Sequence, residues 1–365
     1  MKTETTRKSK PSWWLLTRVC AGIFLIAVST SPVKAQSGSV PASQVSQLVT
    51  RVRSAGPGDA AMSEALTLGQ ILIIEKRFAE AALLYDAVVD KNPQNAAALY
   101  GGALATVNLG KLARAEPLAR AAVAATNQNS SNGVGKIAPR TRTSAADALV
   151  LLAVVLAVKG DDQEALKTAR EAVRIAPDHF DAQFTLGRAL YSVGDLASAA
   201  TAFRVAVRVN PADQRALFFL GTTLEQAGDL ESAADTYRQL ITKQPSVAEG
   251  HLGLGTILVR RGGTQTEEGI EALKSAIALN PDLYEARVTL GRALVARGRA
   301  AQSIEHLVRA AELSPGNPEP QYQLSLAYRR LRRYDKAADA TAIVRRIHEN
   351  RRASGVQSRS QMPKQ

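Results

Sequence analysis

Side chains able to do chemistry occur in this 365-residue chain without the spacing that a reactive site needs. Histidine can act as a general base or as a metal ligand. The histidines are His179, His251, His306 and His348. Their separations match no zinc-binding motif. Residues 133–136 read Gly-Val-Gly-Lys, but Ile137 follows where a phosphate-binding loop needs Ser or Thr. The sequence therefore predicts no enzyme, no metal site and no cofactor.

Small residues recur along the chain at a nearly constant interval, which indicates repeated elements. The interval is 34 residues, except for 50 residues after Ala103 and 36 residues after Gly255. A second small residue follows by twelve positions in most copies, and a proline follows by 24. The first small residues of the copies are Gly69, Ala103, Ala153, Gly187, Gly221, Gly255, Gly291 and Ser325.

One copy, residues 180–213, shows what each repeat contains. An apolar stripe at helical spacing covers residues 184–191, and Gly194 then interrupts it. A second stripe covers residues 196–209 and ends before Pro211. The copy therefore predicts two antiparallel helices that cross closely at the small residues.

This pattern of two small residues and a proline resembles the tetratricopeptide repeat over residues 62–350. The resemblance implies an all-α, right-handed superhelical solenoid of about eight helix-turn-helix repeats. The helix-ending proline is missing at Asn127 and Glu349. Neither departure removes a repeat.

The repeats divide the chain into segments with different expected roles. We expect repeats 1 and 2 over residues 62–127 and repeats 3 to 8 over residues 144–350. Residues 36–61 predict a linker or cap helix. The polar residues 128–143 predict a flexible insertion, and a functional flap is the alternative. Residues 351–365 predict a basic, disordered tail.

The resemblance also implies that the first helix of each repeat lines a concave groove, with its fifth residue pointing inward. That position is apolar in every repeat, and five of the eight residues three places earlier are acidic. Such a groove suits a protein or peptide segment with apolar anchors and some basic residues. The predicted groove residues are Tyr100, Asp181, Phe184, Arg188, Phe218, Leu252, Arg292 and Tyr322.

The N-terminal 35 residues have the pattern of a signal peptide. Four basic residues lie among the first ten, an apolar run covers residues 19–28, and residues 33–35 read Val-Lys-Ala, as a signal peptidase requires. We expect export to the periplasm or cell envelope, with an uncleaved membrane anchor as the alternative. Cleavage would remove Cys20, the single cysteine, which leaves packing to stabilise the mature chain.

Of the net charge of +13, the chain after residue 35 carries +8, and this excess lies in its last part. Residues 329–365 contain eleven Lys and Arg and three acidic residues. The predicted basic patch consists of Arg329, Arg330, Arg332, Arg333, Arg345, Arg346, Arg351 and Arg352. A solvated end cap and a site for an anionic surface both explain this charge. No nucleic-acid motif accompanies it, so nucleic acid is not an expected partner.

We therefore expect a non-enzymatic scaffold that binds a protein segment in its groove during assembly of a cell-envelope complex. Two alternatives remain open. The chain can be an accessory subunit that positions an enzyme of polysaccharide or glycan synthesis, or a membrane-surface tether that uses the basic cap. The sequence does not identify the partner, the pathway or the oligomeric state.

Overall fold

The computed structural model describes residues 40–56, 59–131 and 144–360. The chain forms two compact units, residues 1–210 (unit 1) and residues 211–365 (unit 2). Every regular element in the described residues is a helix, which confirms the all-α prediction. None of these helices is long and apolar enough to cross a membrane.

The described part of unit 1 contains an N-terminal helix followed by four helix pairs. Its helices are α1 (Ala42–Ser54), α2 (Ala60–Ile74), α3 (Phe78–Lys91), α4 (Ala96–Asn108), α5 (Leu112–Ser131), α6 (Ala145–Lys159), α7 (Asp162–Ile175), α8 (Phe180–Val193) and α9 (Leu196–Val209). The helices pair in chain order from α2 onward, and each pair packs together. We call the first helix of a pair the A helix and the second the B helix.

Unit 2 contains four further pairs in its described residues. Its helices are α10 (Gln214–Ala227), α11 (Leu230–Lys243), α12 (Ala248–Arg261), α13 (Thr266–Leu279), α14 (Tyr284–Ala296), α15 (Ala300–Leu313), α16 (Pro318–Arg330) and α17 (Tyr334–Ser360). A short 3-10 turn, Gly263–Gln265, accommodates the two extra residues between α12 and α13. The pairs of both units match the eight predicted repeats.

The A and B helices of a repeat cross closely at the predicted small residues. A Cβ atom added at Gly187 would lie 2.7 Å from Phe203 Cδ1, and one added at Gly221 would lie 2.9 Å from Tyr237 Cε1. Both aromatic side chains are buried. A larger residue at either glycine would displace a packed ring, which confirms the predicted reason for the small residues.

Glycine also ends several A helices. Gly160, Gly194 and Gly228 have φ angles of 98°, 87° and 87°. This left-handed backbone is strained for residues with a side chain, so glycine permits the immediate turn into the B helix.

Two helices extend beyond their predicted ends. Helix α5 continues to Ser131, since no proline at Asn127 stops it. Helix α17 continues to Ser360, into the segment predicted as a tail, and residues 351–360 also contain no proline. The predicted signal peptide with Cys20, residues 132–143 of the insertion and residues 361–365 lie outside the described residues.

Candidate functional site

The A helices of unit 2 present four parallel rows of side chains. Each A helix contacts the next A helix, from α10 through α12 and α14 to α16. Residues at i, i+3, i+7 and i+11 lie along one side of an α-helix. We call these rows together the A face. They are Arg215, Phe218, Thr222 and Gln226 on α10; Glu249, Leu252, Thr256 and Arg260 on α12; Glu285, Val288, Arg292 and Ala296 on α14; and Glu319, Tyr322, Leu326 and Arg330 on α16.

The charged residues of the A face on α12, α14 and α16 form no ion pair within the described residues. Glu249 and Glu285 at the helix starts are exposed, and so is Arg292. Glu319 accepts a hydrogen bond of 2.9 Å from the amide of Gln323 on its own helix. Arg215 on α10 differs, because it pairs with Asp213 at 2.8 Å. The face therefore has exposed charges that the fold leaves unpaired.

On B helices of the same unit and in the turns beside them, several charges are paired between elements. Three arginines each bind a carboxylate from a different element across the surface that we call the B face. The pairs are Arg238 with Glu268 at 3.0 Å, Arg299 with Glu267 at 2.7 Å, and Arg309 with Asp282 at 2.7 Å. These contacts join neighbouring repeats, and the A-face charges have no such role.

Two pKa shifts show that charges of neighbouring A helices lie close together. Burial, together with the carboxylates of Glu319 and Glu285, raises the pKa of Tyr284 to about 12. Burial also raises the pKa of Glu225 near the end of α10, while Arg260 near the end of α12 acts in the opposite direction. The helix starts therefore share one edge of the face, and the helix ends share the other.

The apolar middle of the A face becomes more exposed towards its last repeat. Val288 is buried, whereas Phe218 and Leu252 are half-buried. The Phe218 ring packs edge to face with Phe219 at a centroid distance of 5.8 Å. Tyr322 is 50% exposed. Of the predicted groove residues in unit 2, Tyr322 and Arg292 are the most accessible to a partner.

The sequence and fold comparisons decide the family. The tetratricopeptide repeat model matches residues 66–130, 140–180, 184–248, 225–284, 252–318 and 288–350, more than half of the chain. This chain belongs to the tetratricopeptide repeat family. A search of curated proteins gives no match.

Solved tetratricopeptide repeat structures resemble this chain in fold. The C-terminal part of a repeat-containing protein from Cytophaga hutchinsonii is 13% identical, with a TM-score of 0.52, and covers 71% of this chain and 99% of its own. A repeat protein from Parabacteroides merdae is 16% identical, with a TM-score of 0.50 and coverages of 70% and 93%. YrrB, described as having an unusual peptide-binding site, is 19% identical, with a TM-score of 0.44 and coverages of 50% and 93%.

Tetratricopeptide repeat proteins are generally non-enzymatic scaffolds that bind other proteins. The repeats therefore make this chain a protein-interaction scaffold. In the described residues no three His, Cys, Asp or Glu side chains are grouped so that they can hold a metal ion.

In unit 1 one predicted residue of the tetratricopeptide groove is buried. Phe184 is only 7% exposed. Its ring stacks on Phe180 and packs edge to face on Phe203, with centroid distances of 5.8 Å in both cases. These neighbouring rings cover Phe184, so it offers little surface to a ligand, and its role in binding stays a prediction.

Tyr100, also in unit 1, is half-buried among apolar side chains of its own and the adjoining repeats. Burial raises the pKa of its phenol, and the carboxylates of Asp147 and Asp181 raise it further. Arg188 is half-buried as well. The apolar surroundings of Tyr100 leave it less surface for a partner than Tyr322 offers.

A contact between a histidine and a carboxylate in unit 1 joins two A helices at their starts. His179 Nε2 lies 3.2 Å from Asp147 Oδ1, and His179 Nδ1 accepts a hydrogen bond of 3.3 Å from the Ala182 amide. Hydrogen bonding to Asp147 raises the pKa of His179. Burial raises the pKa of Asp147, but hydrogen bonds from His179 and Ser144 outweigh burial and lower it. The pair caps helices, and its 32-residue separation hid it from motif analysis.

The histidine on the A helix of repeat 6 contacts the turn that precedes this helix. His251 Nε2 lies 3.0 Å from the Pro245 carbonyl oxygen. Gln183 and Arg287 stand at the same repeat position and donate to the carbonyls of Pro177 and Pro281 at 2.7 and 2.6 Å. These side chains tie an A helix to the proline turn before it.

The predicted basic patch is exposed at all eight of its arginines. Arg351 donates a hydrogen bond of 2.6 Å to the Gly316 carbonyl oxygen, which fixes α17 against the turn before α16. The patch includes Arg330, the last residue of an A-face row. Its arginines form no ion pair within the described residues.

Proposed function

We propose that the A face of unit 2 binds a peptide segment of a partner protein. The observation that carries the proposal is the difference in ion pairing between the two faces of the unit. Arginines on the B face are satisfied by carboxylates of neighbouring repeats, whereas Glu249, Glu285 and Arg292 are exposed and unpaired. The half-exposed Tyr322 adds an aromatic anchor of the kind found at binding hot spots.

Selection of peptides displayed on phage, with the purified protein as target, tests this proposal. The enriched peptides are then titrated against Tyr322→Ala and Tyr334→Ala. Both tyrosines are in the last repeat and are 50% and 65% exposed, but only Tyr322 lies on an A helix. We expect Tyr322→Ala to weaken binding and Tyr334→Ala to leave it unchanged. Equal affinities for both variants and the parent would contradict the proposal.

We further propose that the protein is exported and that its partner belongs to a cell-envelope complex. The basic start, the apolar run over residues 19–28 and the Val-Lys-Ala sequence at residues 33–35 support export. Mature protein should begin at Gln36 and show tyrosine but no tryptophan fluorescence, since both tryptophans precede it. Retention of Trp13 and Trp14 would instead support the anchor. A glycan-synthesis enzyme is one form that the partner can take.

The exposed basic patch supports a second candidate function, a tether to an anionic membrane surface. The arginines of the basic patch form no ion pair within the described residues, unlike Arg238, Arg299 and Arg309 of the B face. Co-sedimentation with vesicles of phosphatidylcholine alone or with phosphatidylserine tests the tether. Binding only to the anionic vesicles, with loss at high salt, is the expected result. Equal sedimentation with both would contradict it.

A further inference from the structure

Three neighbouring A helices of unit 2 place their charges in the same order. Each row on α12, α14 and α16 starts with a glutamate and reaches an arginine seven or eleven residues later. At the rise of an α-helix, the two charges are about 10 to 16 Å apart along the helix axis. The A face therefore has an acidic edge (Glu249, Glu285 and Glu319) and a basic edge (Arg260, Arg292 and Arg330), with apolar residues between them.

The distance between the edges fits a helical ligand. An α-helix with its side chains is about 10 to 12 Å wide, so it fills the space between acidic and basic edges. Packed helices are about 8 to 10 Å apart, so like charges on neighbouring A helices recur at about this distance along each edge. In a helical ligand, side chains seven residues apart are about 10 Å apart and lie on nearly the same side of the helix. In an extended ligand, residues about 10 Å apart point to opposite sides.

We propose that the A face of α12, α14 and α16 binds an amphipathic α-helix whose basic and acidic residues occupy opposite flanks. This inference rests on the proposed function and specifies its ligand. The basic flank lies on the acidic edge, the acidic flank lies on the basic edge, and the apolar stripe lies on Leu252, Tyr322 and Leu326. Helix α10 is outside the site, because its row begins with Arg215, which Asp213 already holds.

The helix dipole offers a different reason for this order of charges. Acidic residues stabilise a helix at its start and basic residues stabilise it at its end. The dipole therefore accounts for the acidic residues at one edge and the basic residues at the other without any ligand. The experiment must therefore separate an effect on folding from an effect on binding.

Two synthetic helical peptides of equal composition provide the probe. Both carry one apolar stripe with a seven-residue period. In the segregated peptide one flank is all Lys and the other all Glu, whereas in the mixed peptide Lys and Glu alternate within each flank. Affinities are measured by fluorescence anisotropy for the wild-type chain, for Glu249→Gln/Glu285→Gln/Glu319→Gln, and for the B-face control Glu267→Gln/Glu268→Gln. Melting curves of all three proteins accompany the titrations.

We expect the wild type to bind the segregated peptide at least about 10-fold more tightly than the mixed peptide, because several surface ion pairs act together. The A-face variant should lose this preference, and the B-face control should keep it. Equal affinity for both peptides, no binding of either, or a preference that survives in the A-face variant would overturn the inference. A lower melting temperature with unchanged preference assigns the glutamates to the helix dipole. The display experiment judges the proposed function separately, since selected peptides of another type would still depend on Tyr322.

Discussion

The A face and the B face of unit 2 use the same charged residue types in different ways. On the B face, Arg238, Arg299 and Arg309 each contact a carboxylate of another element. On the A face of α12, α14 and α16, glutamates and arginines lie on separate edges of the surface and form no ion pair within the described residues. The B-face charges connect repeats, whereas the A-face charges are free to contact a partner.

The largest expected effect comes from breaking the scaffold beneath both faces. A Cβ atom at Gly255 would lie 2.8 Å from the backbone oxygen of Gly269, which cannot move without separating α12 and α13. Gly255→Leu should therefore lower the free energy of unfolding by about 1 to 3 kcal/mol or more, as measured by urea unfolding.

Gly316→Ala is the matched control for this substitution, because no atom lies within 4 Å of the added Cβ. Its stability should stay within about 0.5 kcal/mol of the parent. Unfolding curves of Gly255→Leu that overlay those of the control would show that the helices are not closely packed at this crossing.

The next prediction compares how much the charges of each face contribute to stability. Replacing Arg238, Arg299 and Arg309 with Gln removes the ion pairs of the B face and should lower the melting temperature at low salt. The loss should shrink at high salt because the pairs are exposed and screened. Replacing Arg260, Arg292 and Arg330 with Gln should lower the melting temperature less, because these arginines interact with helix ends and form no ion pair within the described residues. Equal losses for the two triple variants would remove the distinction between the faces.

Much of this architecture follows from the sequence, since a regular interval directly reflects a repeated packing contact. Gly187 and Gly221 stand at this interval, and each faces a buried ring across the helix crossing. The burial of Phe184 was not predictable in the same way, because it depends on Phe180 and Phe203 converging from different parts of the repeat.

The basic edge of the A face was missed for a related reason. Arg260 and Arg330 are eleven residues after Glu249 and Glu319, at positions that appear unrelated until the A helices are placed side by side. A search of the sequence for a glutamate and an arginine eleven residues apart on each A helix would have found this pattern. The His179–Asp147 pair needs tertiary contact between two repeats, which no local pattern contains.

The smallest expected effect concerns unit 1, where the carboxylate of Asp147 on an A helix contacts His179. His179 should titrate above the usual histidine pKa of about 6.5, and Asp147→Asn should lower its pKa, as measured by NMR. The raised pKa stabilises the fold at pH values below the unfolded pKa, and this contribution disappears as pH rises through the folded pKa. The melting temperatures of parent and variant should therefore differ more at pH 5.5 than at pH 8.5. An unchanged His179 pKa in the variant would contradict this assignment.

Photo-crosslinking tests the central claim, that the A face of unit 2 binds a peptide segment, most directly. The photoreactive residue p-benzoylphenylalanine replaces Tyr322 in one protein and Tyr334 in another, and each is irradiated with the peptides selected on the wild-type chain. Our account predicts crosslinked peptide from position 322 and none from position 334, as read by mass spectrometry. Crosslinking at position 334 without crosslinking at position 322 would place the binding surface on the B helices and contradict the account.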